Sequence, residues 1–282
     1  MVLGADAAYV IHLDRHKLRK KVTDKLSRDL QLPLNYIQAI DNKDYLDNPQ
    51  ELIKYLNHEW WDPCGWLTLG IIACALSHRK AYKAFLDSDN EVGLFLEDDI
   101  YNTAFLRRYD YNQVRKELDN MDWGVCWYGK YWDETIKIND ITDNLVEPEP
   151  LSRIQTAAHA YLLNRKSAEW FYNNILPLRY AADVRLEISP FKQVALKNSV
   201  FRQYHFKYYV EQDKSIPDEL MHFTGEDLFE HESEFEKTQR KNDWRDKRLN
   251  ISPFIKIDGY EFQDRIFGSF QRRGHLIKVS QK

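Results

Sequence analysis

Cysteine is scarce: Cys64, Cys74 and Cys126 make an odd number with no C-x-x-C spacing, which suits neither a disulfide framework nor a structural zinc site. A reducing compartment follows, and the cytoplasm is the expected location. Long apolar runs are missing as well. The longest mostly apolar stretch, Trp66 to Leu76, falls short of the roughly 20 residues that a bilayer-spanning helix needs. No transmembrane segment is therefore expected, and membrane contact would be peripheral at most. No basic-then-apolar leader is legible near the first residues, because Asp6 interrupts it and Tyr9 to Leu13 is needed as a strand. Ser280-Gln281-Lys282 does not read as a retention tail. Positive charge is not in excess: 40 Lys and Arg against 44 Asp and Glu give a net charge of −4, which argues against a nucleic-acid partner held by phosphate neutralisation. Asn250-Ile251-Ser252 is a formal glycosylation sequon of a kind that arises often by chance.

Apolar residues and aromatics, by contrast, are plentiful. At 282 residues and 43% apolar content, the chain can bury a core of the size one large α/β domain needs, with or without an appendage. Eight Trp and seventeen Tyr offer flat faces on which sugar rings stack, although most aromatics in any protein are core.

The densest information lies in Leu94-Phe95-Leu96-Glu97-Asp98-Asp99-Ile100, an apolar strand running into three consecutive carboxylates with no Lys or Arg among them. Strand alternation points Glu97 and Asp99 to one side and Asp98 to the other. Paired carboxylates at a strand end seat Mg²⁺ or Mn²⁺, hard cations that complete their shell with water and substrate phosphate. A strand ending in a solvated acidic turn is an equal reading of the triplet alone. Upstream, Leu69 to Phe85 has helical apolar spacing (Ile72, Leu76 and Arg79; Ala75, Tyr82 and Phe85) and ends in the polar turn Asp87-Ser88-Asp89-Asn90. Helix, turn and buried strand is the order of an α/β sheet, whose ligands collect beyond the carboxyl ends of the strands.

Gly70, Cys74, Ser77 and His78, followed by Leu96-Glu97-Asp98-Asp99, resemble the signature of glycosyltransferase family 25, the lipopolysaccharide and collagen galactosyltransferases. Tyr9-Val10-Ile11-His12-Leu13-Asp14-Arg15 with Arg19 is similar to the family's opening strand and basic turn, and Ala39-Ile40-Asp41 to the Ala-x-Asp that follows. His159-Ala160-Tyr161-Leu162-Leu163, Ala168 and Asp183-Val184 beyond Pro177 resemble its later blocks. Blocks in the right order over about the first 200 residues are far more specific than any one alone. Departures stand at His12, where the family usually has Asn, at Ile71, where it has an acid, and at Ala73, where it has Gly.

The resemblance implies an A-type glycosyltransferase fold, Rossmann-like with a mixed central sheet. It also implies an inverting, metal-dependent transfer of a hexose from a UDP-sugar to a glycan or lipooligosaccharide hydroxyl, with galactose favoured and glucose next. Asp99 and Glu97 are then the expected ligands of Mn²⁺ or Mg²⁺, and Asp98 faces the donor's hydroxyls. His12, Asp14, Arg15, Arg19, Ser77 and His78 are expected around the nucleotide. Asp183 is the expected base, with a helix-capping role nearly as good an account of it. Arg15 and Arg19, one helical turn apart, otherwise form a solvated basic face. His159 supports either the metal or the core, and Trp127, Tyr128, Tyr131 and Trp132 border a strand end where an acceptor could stack. The rivals are a metal-dependent nucleotidyltransferase or phosphohydrolase and a catalytically silent carbohydrate-binding relative. Intact Glu97 and Asp99 argue against the second.

The coarse expectation is strands at Tyr9 to Leu13, Asn35 to Ala39, Asp122 to Gly129 and Ala157 to Leu163. Helices are expected at about Arg15 to Leu30, Tyr111 to Leu118 and Lys166 to Asn174. Asp41 to Cys64 reads as a polar loop region, and acidic Asp133 to Pro150 as a surface excursion. Residues 1–210 form the expected catalytic domain. Residues 211–282 form a charged C-terminal extension packing on it, carrying Glu226 and Asp227 as reserve acids.

Overall fold

The computed structural model describes residues 3–45, 47–48, 50–56, 69–129, 137–148, 158–203, 260–267 and 271–278. The first strand, β1 (Ala7–His12), is an apolar run bounded by Asp6 and Asp14. Its successor α1 (Lys17–Leu30) ends with Gln31 in the left-handed region at φ 51°, where the Leu32 N–H reaches back 2.9 Å to the Ser27 carbonyl and satisfies one of the helix's free acceptors. After β2 (Leu34–Gln38) and the short α2 (Gln50–Ile53) comes α3 (Leu69–Leu86), which leads into β3 (Val92–Glu97).

The triplet strand is shorter than the alternation argument assumes. β3 stops at Glu97, Asp98 and Asp99 form a turn, and a separate strand, β4 (Ile100–Asn102), follows. Three carboxylates in succession cannot all find partners in a ladder, so the backbone turns where the charge begins. α4 (Tyr111–Asp119) is capped by Asp110, whose carboxylate accepts from the N–H groups of Asn112 and Gln113. Beyond β5 (Val125–Trp127), the acidic segment read as a surface excursion supplies a hairpin, β6 (Lys137–Asp140) and β7 (Leu145–Pro148). Leu145 and Val146 are fully buried, and β7 pairs antiparallel with β9 (Gln193–Leu196). Two buried apolar residues outweigh the acidic composition around them. β8 (Ala160–Asn164), α5 (Arg165–Asn174), α6 (Ala182–Glu187) and β10 (Phe201–Gln203) complete this region. Strands β11 (Tyr260–Phe267) and β12 (Gln271–Lys278) form a separate antiparallel pair. The expected boundary near residue 210, and Glu226 and Asp227, lie outside the described residues.

The central sheet is mixed and eight-stranded, in the order β2-β1-β3-β8-β5-β9-β7-β6, and helices cover both faces. This is the expected A-type glycosyltransferase architecture. β1 lies parallel between β2 and β3, so the chain leaves β1 to one side and returns through α3 to the other. That reversal opens a crevice at the carboxyl ends of β1 and β3.

Period-two alternation sorts the core. Tyr9, Phe95, Tyr161 and Leu163 pack on one face with Ile72, Ala75, Tyr82 and Phe85 of α3. Ala8, Val10, Leu94, Leu96 and Leu162 pack on the other with Leu26 of α1 and Val114 and Leu118 of α4. Tyr9, Phe95 and Tyr161 are in register on adjacent strands and stack at 5.6 and 5.5 Å, each such pair adding to what area burial gives. Among the described residues, no helix is long and apolar enough to cross a membrane.

Asp6 fastens the start of β1 to the start of β3. Its carboxylate accepts from the Glu91 and Val92 N–H groups, each at 2.9 Å, and from Arg115 at 3.1 Å. Burial alone would raise its pKa, but these donors hold it below the ordinary value. A lowered folded-state pKa gives stability that is present above the unfolded pKa and lost as pH falls through the folded one. Asp6→Ala is expected to cost about 1–3 kcal/mol in urea denaturation at pH 7, with the gap to wild type narrowing below about pH 4. An equal gap at pH 7 and pH 3 would refute the electrostatic part.

Candidate active site

The site forms where β3 ends in the crevice. Alternation sends Glu97 to the same face as Phe95, toward α3, where Cys74 and His78 lie one helical turn apart. Glu97 Oε1 is 3.2 Å from His78 Nε2 and 3.8 Å from Cys74 Sγ, while Oε2 accepts from the Gln203 amide at 2.7 Å. Its backbone N–H bonds the His159 carbonyl at 2.9 Å. Burial would raise its pKa, yet the hydrogen bond and charge of His78, with His159 behind it, keep it below the usual value. His78 is itself fixed, because its Nδ1 lies 2.7 Å from the Tyr161 hydroxyl, which lies 2.8 Å from that of Tyr82.

Asp98 faces the opposite way, as alternation predicts, and is buried against α1 and the end of β1. Oδ2 meets His12 Nδ1 at 2.8 Å and the Leu13 N–H at 3.4 Å, and Oδ1 accepts from Arg19 at 2.8 Å. Despite the cost of burial, His12, His16 and Arg19 drive its carboxyl far below the ordinary range. Arg19 also reaches Asp99 at 3.3 Å. The triplet, free of basic residues in sequence, thus takes its counter-charge from a helix 79 residues earlier.

Asp99 is the least satisfied of the three. Its Oδ1 is 3.4 Å from the Gln203 amide nitrogen, and burial, followed by the charge of Glu97, pushes its pKa up to about 7. One nitrogen therefore lies 2.7 Å from an oxygen of Glu97 and 3.4 Å from an oxygen of Asp99. Two carboxylates converging on one donor, with too little positive charge nearby, fit a hard divalent ion by donor type and by charge.

Asp183 lies in the first turn of α6, which packs on α3. Its Oδ1 accepts from the Val184 N–H at 2.8 Å. Burial first, and then Glu97, raise its pKa, while His78 opposes them, so it belongs to the same electrostatic cluster. The remaining expected residues are spread around the crevice. The Ser77 hydroxyl donates to the Ala73 carbonyl at 2.6 Å and accepts from the Ile40 N–H at 2.8 Å, tying α3 to the exit of β2. Arg15 pairs with Asp41, and exposed Asp14 faces the side-chain amide of Gln38. His159 packs against Gly129, where a Cβ would stand 2.1 Å from its Nε2; only glycine leaves room for the ring. Trp127 and Tyr128 are core rather than stacking surfaces, with Trp127 bonded to Gln193 and Tyr128 to the Leu3 carbonyl. Tyr131 and Trp132 lie outside the described residues.

Gln203 is the site residue that sequence reasoning missed. Only the pairing of β10 with β4, which sets Gln203 opposite Ile100, brings it there, and nothing in Phe201-Arg202-Gln203 announces it. Cys74 stood within the matched signature without an assigned role.

Residues 5–186 match the pattern described as "Glycosyltransferase family 25 (LPS biosynthesis protein)". The chain belongs to glycosyltransferase family 25. Among curated proteins, it is 30% identical over 143 residues to human procollagen galactosyltransferase 2, covering 45% of this chain and 21% of that protein. It is 25% identical over 132 residues to a glycosyltransferase 25 family member of Drosophila pseudoobscura pseudoobscura, again over 45% and 21%. The matches thus span about a fifth of these relatives' length.

The two family-matched arginines separate by environment. Arg19→Ala leaves buried Asp98 short of its cation and is expected to cost about 3–5 kcal/mol. Arg15→Ala breaks an exposed pair and should cost less than about 1 kcal/mol. Equal denaturation midpoints for the two variants would refute this division.

Proposed function

We propose that this family 25 protein is an inverting, metal-dependent glycosyltransferase that moves a hexose, galactose first and glucose next, from a UDP-sugar to a hydroxyl of a glycan or lipooligosaccharide. The observation that carries the reading is the convergence of Glu97 and Asp99 on a single donor atom, at the topological switch point, in a chain of this family. Similarity to a procollagen galactosyltransferase supports the choice of sugar. Residues 1–210 serve as the catalytic unit in this reading. Free thiols at Cys74 and Cys126 suit a reducing, cytoplasmic setting.

Glu97 and Asp99 would hold Mn²⁺ or Mg²⁺, whose charge offsets that gathering on the leaving diphosphate. Asp98, clamped by His12 and Arg19, holds the turn that presents its two neighbours and keeps β1 and α1 against the nucleotide side. His78 orients Glu97 through Nε2 and is itself aimed by Tyr161. Asp183 accepts the acceptor's proton as the acceptor oxygen bonds the anomeric carbon and the bond from that carbon to the diphosphate oxygen breaks. A carboxyl pKa raised by burial suits a base that must take a proton near neutral pH.

Two substitutions test the assignment in an assay of sugar transfer from UDP-galactose with Mn²⁺. Asp99→Ala should abolish metal-dependent UDP binding and transfer while thermal unfolding stays cooperative. Near-normal transfer at saturating Mn²⁺ would remove Asp99 from the seat. Asp183→Asn keeps the shape but cannot take a proton, so transfer should fall by about 10² or more with UDP-sugar affinity retained. Wild-type rates in that variant would place the base elsewhere.

A further inference from the structure

Cys74, His78 and Glu97 present a second and chemically different set of ligand atoms on the α3 side of the crevice. Sγ, Nε2 and a carboxylate oxygen all lie within 4.8 Å of one another. Ligands of a tetrahedral zinc ion, at its usual bond lengths, stand about 3.4–3.6 Å apart. The observed separations from Glu97 Oε1, 3.2 Å to nitrogen and 3.8 Å to sulfur, are each within a few tenths of an ångström of that spacing, and sulfur and nitrogen lie within 4.8 Å of each other. Helix spacing accounts for the first two ligands, since residues four apart share a face. The third comes from the end of a buried strand.

The surroundings resemble those of a metal-binding histidine. His78 Nδ1 is engaged by the Tyr161 hydroxyl at 2.7 Å, and a partner on the far nitrogen fixes the ring and presents the near one. The imidazole is fully buried while Cys74 keeps an open side, which provides an entry path. Sulfur with nitrogen selects thiophilic ions such as Zn²⁺ or Co²⁺ over Mg²⁺ and Mn²⁺, which prefer all-oxygen shells.

We infer that Cys74, His78 and Glu97 form a binding site for a thiophilic divalent cation, distinct from the oxygen seat of Glu97 and Asp99, and that the two sites compete for Glu97. On binding, Cys74 gives its thiol proton to solvent as the sulfur–metal bond forms. His78 coordinates through the Nε2 lone pair, any proton there leaving to solvent, and its Nδ1–H is donated to Tyr161. Glu97 turns Oε1 to the new ion and is drawn from the oxygen seat, so zinc inhibits. The competition rests on the proposed function; the binding site does not.

The test is titration of the full chain with Co²⁺ alone, followed by absorption, and with Zn²⁺ in competition. Wild type should bind one Co²⁺ with a sulfur-to-cobalt charge-transfer band that Zn²⁺ removes. Cys74→Ala, a change on an exposed position, should lack the band and bind Co²⁺ about 10²-fold or more weakly, a first ligand being worth at least what a supporting residue is. Absence of the band in wild type, or its persistence in Cys74→Ala, overturns the site. In Mn²⁺-supported UDP-galactose turnover, the Zn²⁺ concentration for half inhibition should rise about tenfold or more in Cys74→Ala. An unchanged value overturns the competition. If no cation supports turnover, the proposed function fails while the cobalt titration still decides the site.

Discussion

Negative charge held out of water at the end of β3 is the constraint around which the rest of the molecule is arranged. Carboxylates in such a place are tolerated only where other groups supply positive charge or hydrogen-bond donors. Asp98 is fully provided for by His12, Arg19 and the Leu13 N–H. Glu97 is provided for by His78 and Gln203. Asp99 shares Arg19 and Gln203 with its neighbours at longer range, and its elevated pKa records the shortfall. Along three adjacent residues the supply of donors falls away: one is anchored, one is oriented, and one is left short of positive charge.

The anchor holds because the sheet beneath it is stiff. Tyr9, Phe95 and Tyr161 stack across adjacent strands, and His78 lies over Tyr161 at 5.9 Å, so the ladder ends in the imidazole that meets Glu97. Tyr82 and Phe85 set their edges against Phe95 from α3. Gly93 makes room for this packing, since a Cβ there would stand 3.0 Å from both phenylalanines. The positions of His78 and Glu97 are therefore inherited from the core, while Asp98 and Asp99 lie in the turn that follows.

What the sequence made legible follows the range of the interactions. α3, β3 and the orientation of the triplet come from apolar period and alternation, which act over a few residues, and each stands as expected even though the strand ends two residues early. Family resemblance added Asp183, which no local pattern singles out. The pairing of the acids was only partly legible: family resemblance placed His12, Arg19 and His78 at the site, around the nucleotide, but not as partners of the carboxylates. Arg19 meets Asp98 across 79 residues and Gln203 meets Glu97 across 106, contacts that only the topology delivers, and nothing in the sequence announces Gln203. Segments such as Leu145 to Pro148 were misread because two buried side chains decide their place in the sheet, whereas composition is counted over the whole window. Trp127 and Tyr128 follow the burial that strand alternation imposes on some of these aromatics whatever the function, the core having claimed both rings.

The hairpin at the far edge has a consequence for the molecule's behaviour in company. A sheet that ended at β7, with seven strands, would offer a row of unpaired backbone groups beside buried Leu145 and Val146. Instead the outermost strand, β6, is exposed along its whole length, is irregular in register between Lys137 and Asn139, and carries the Lys137–Asp140 and Lys197–Asp140 ion pairs. Charge and a broken register are what discourage a further strand from adding on. Among the described residues, the acidic segment read as a surface excursion gives this edge of the sheet the features that discourage a further strand.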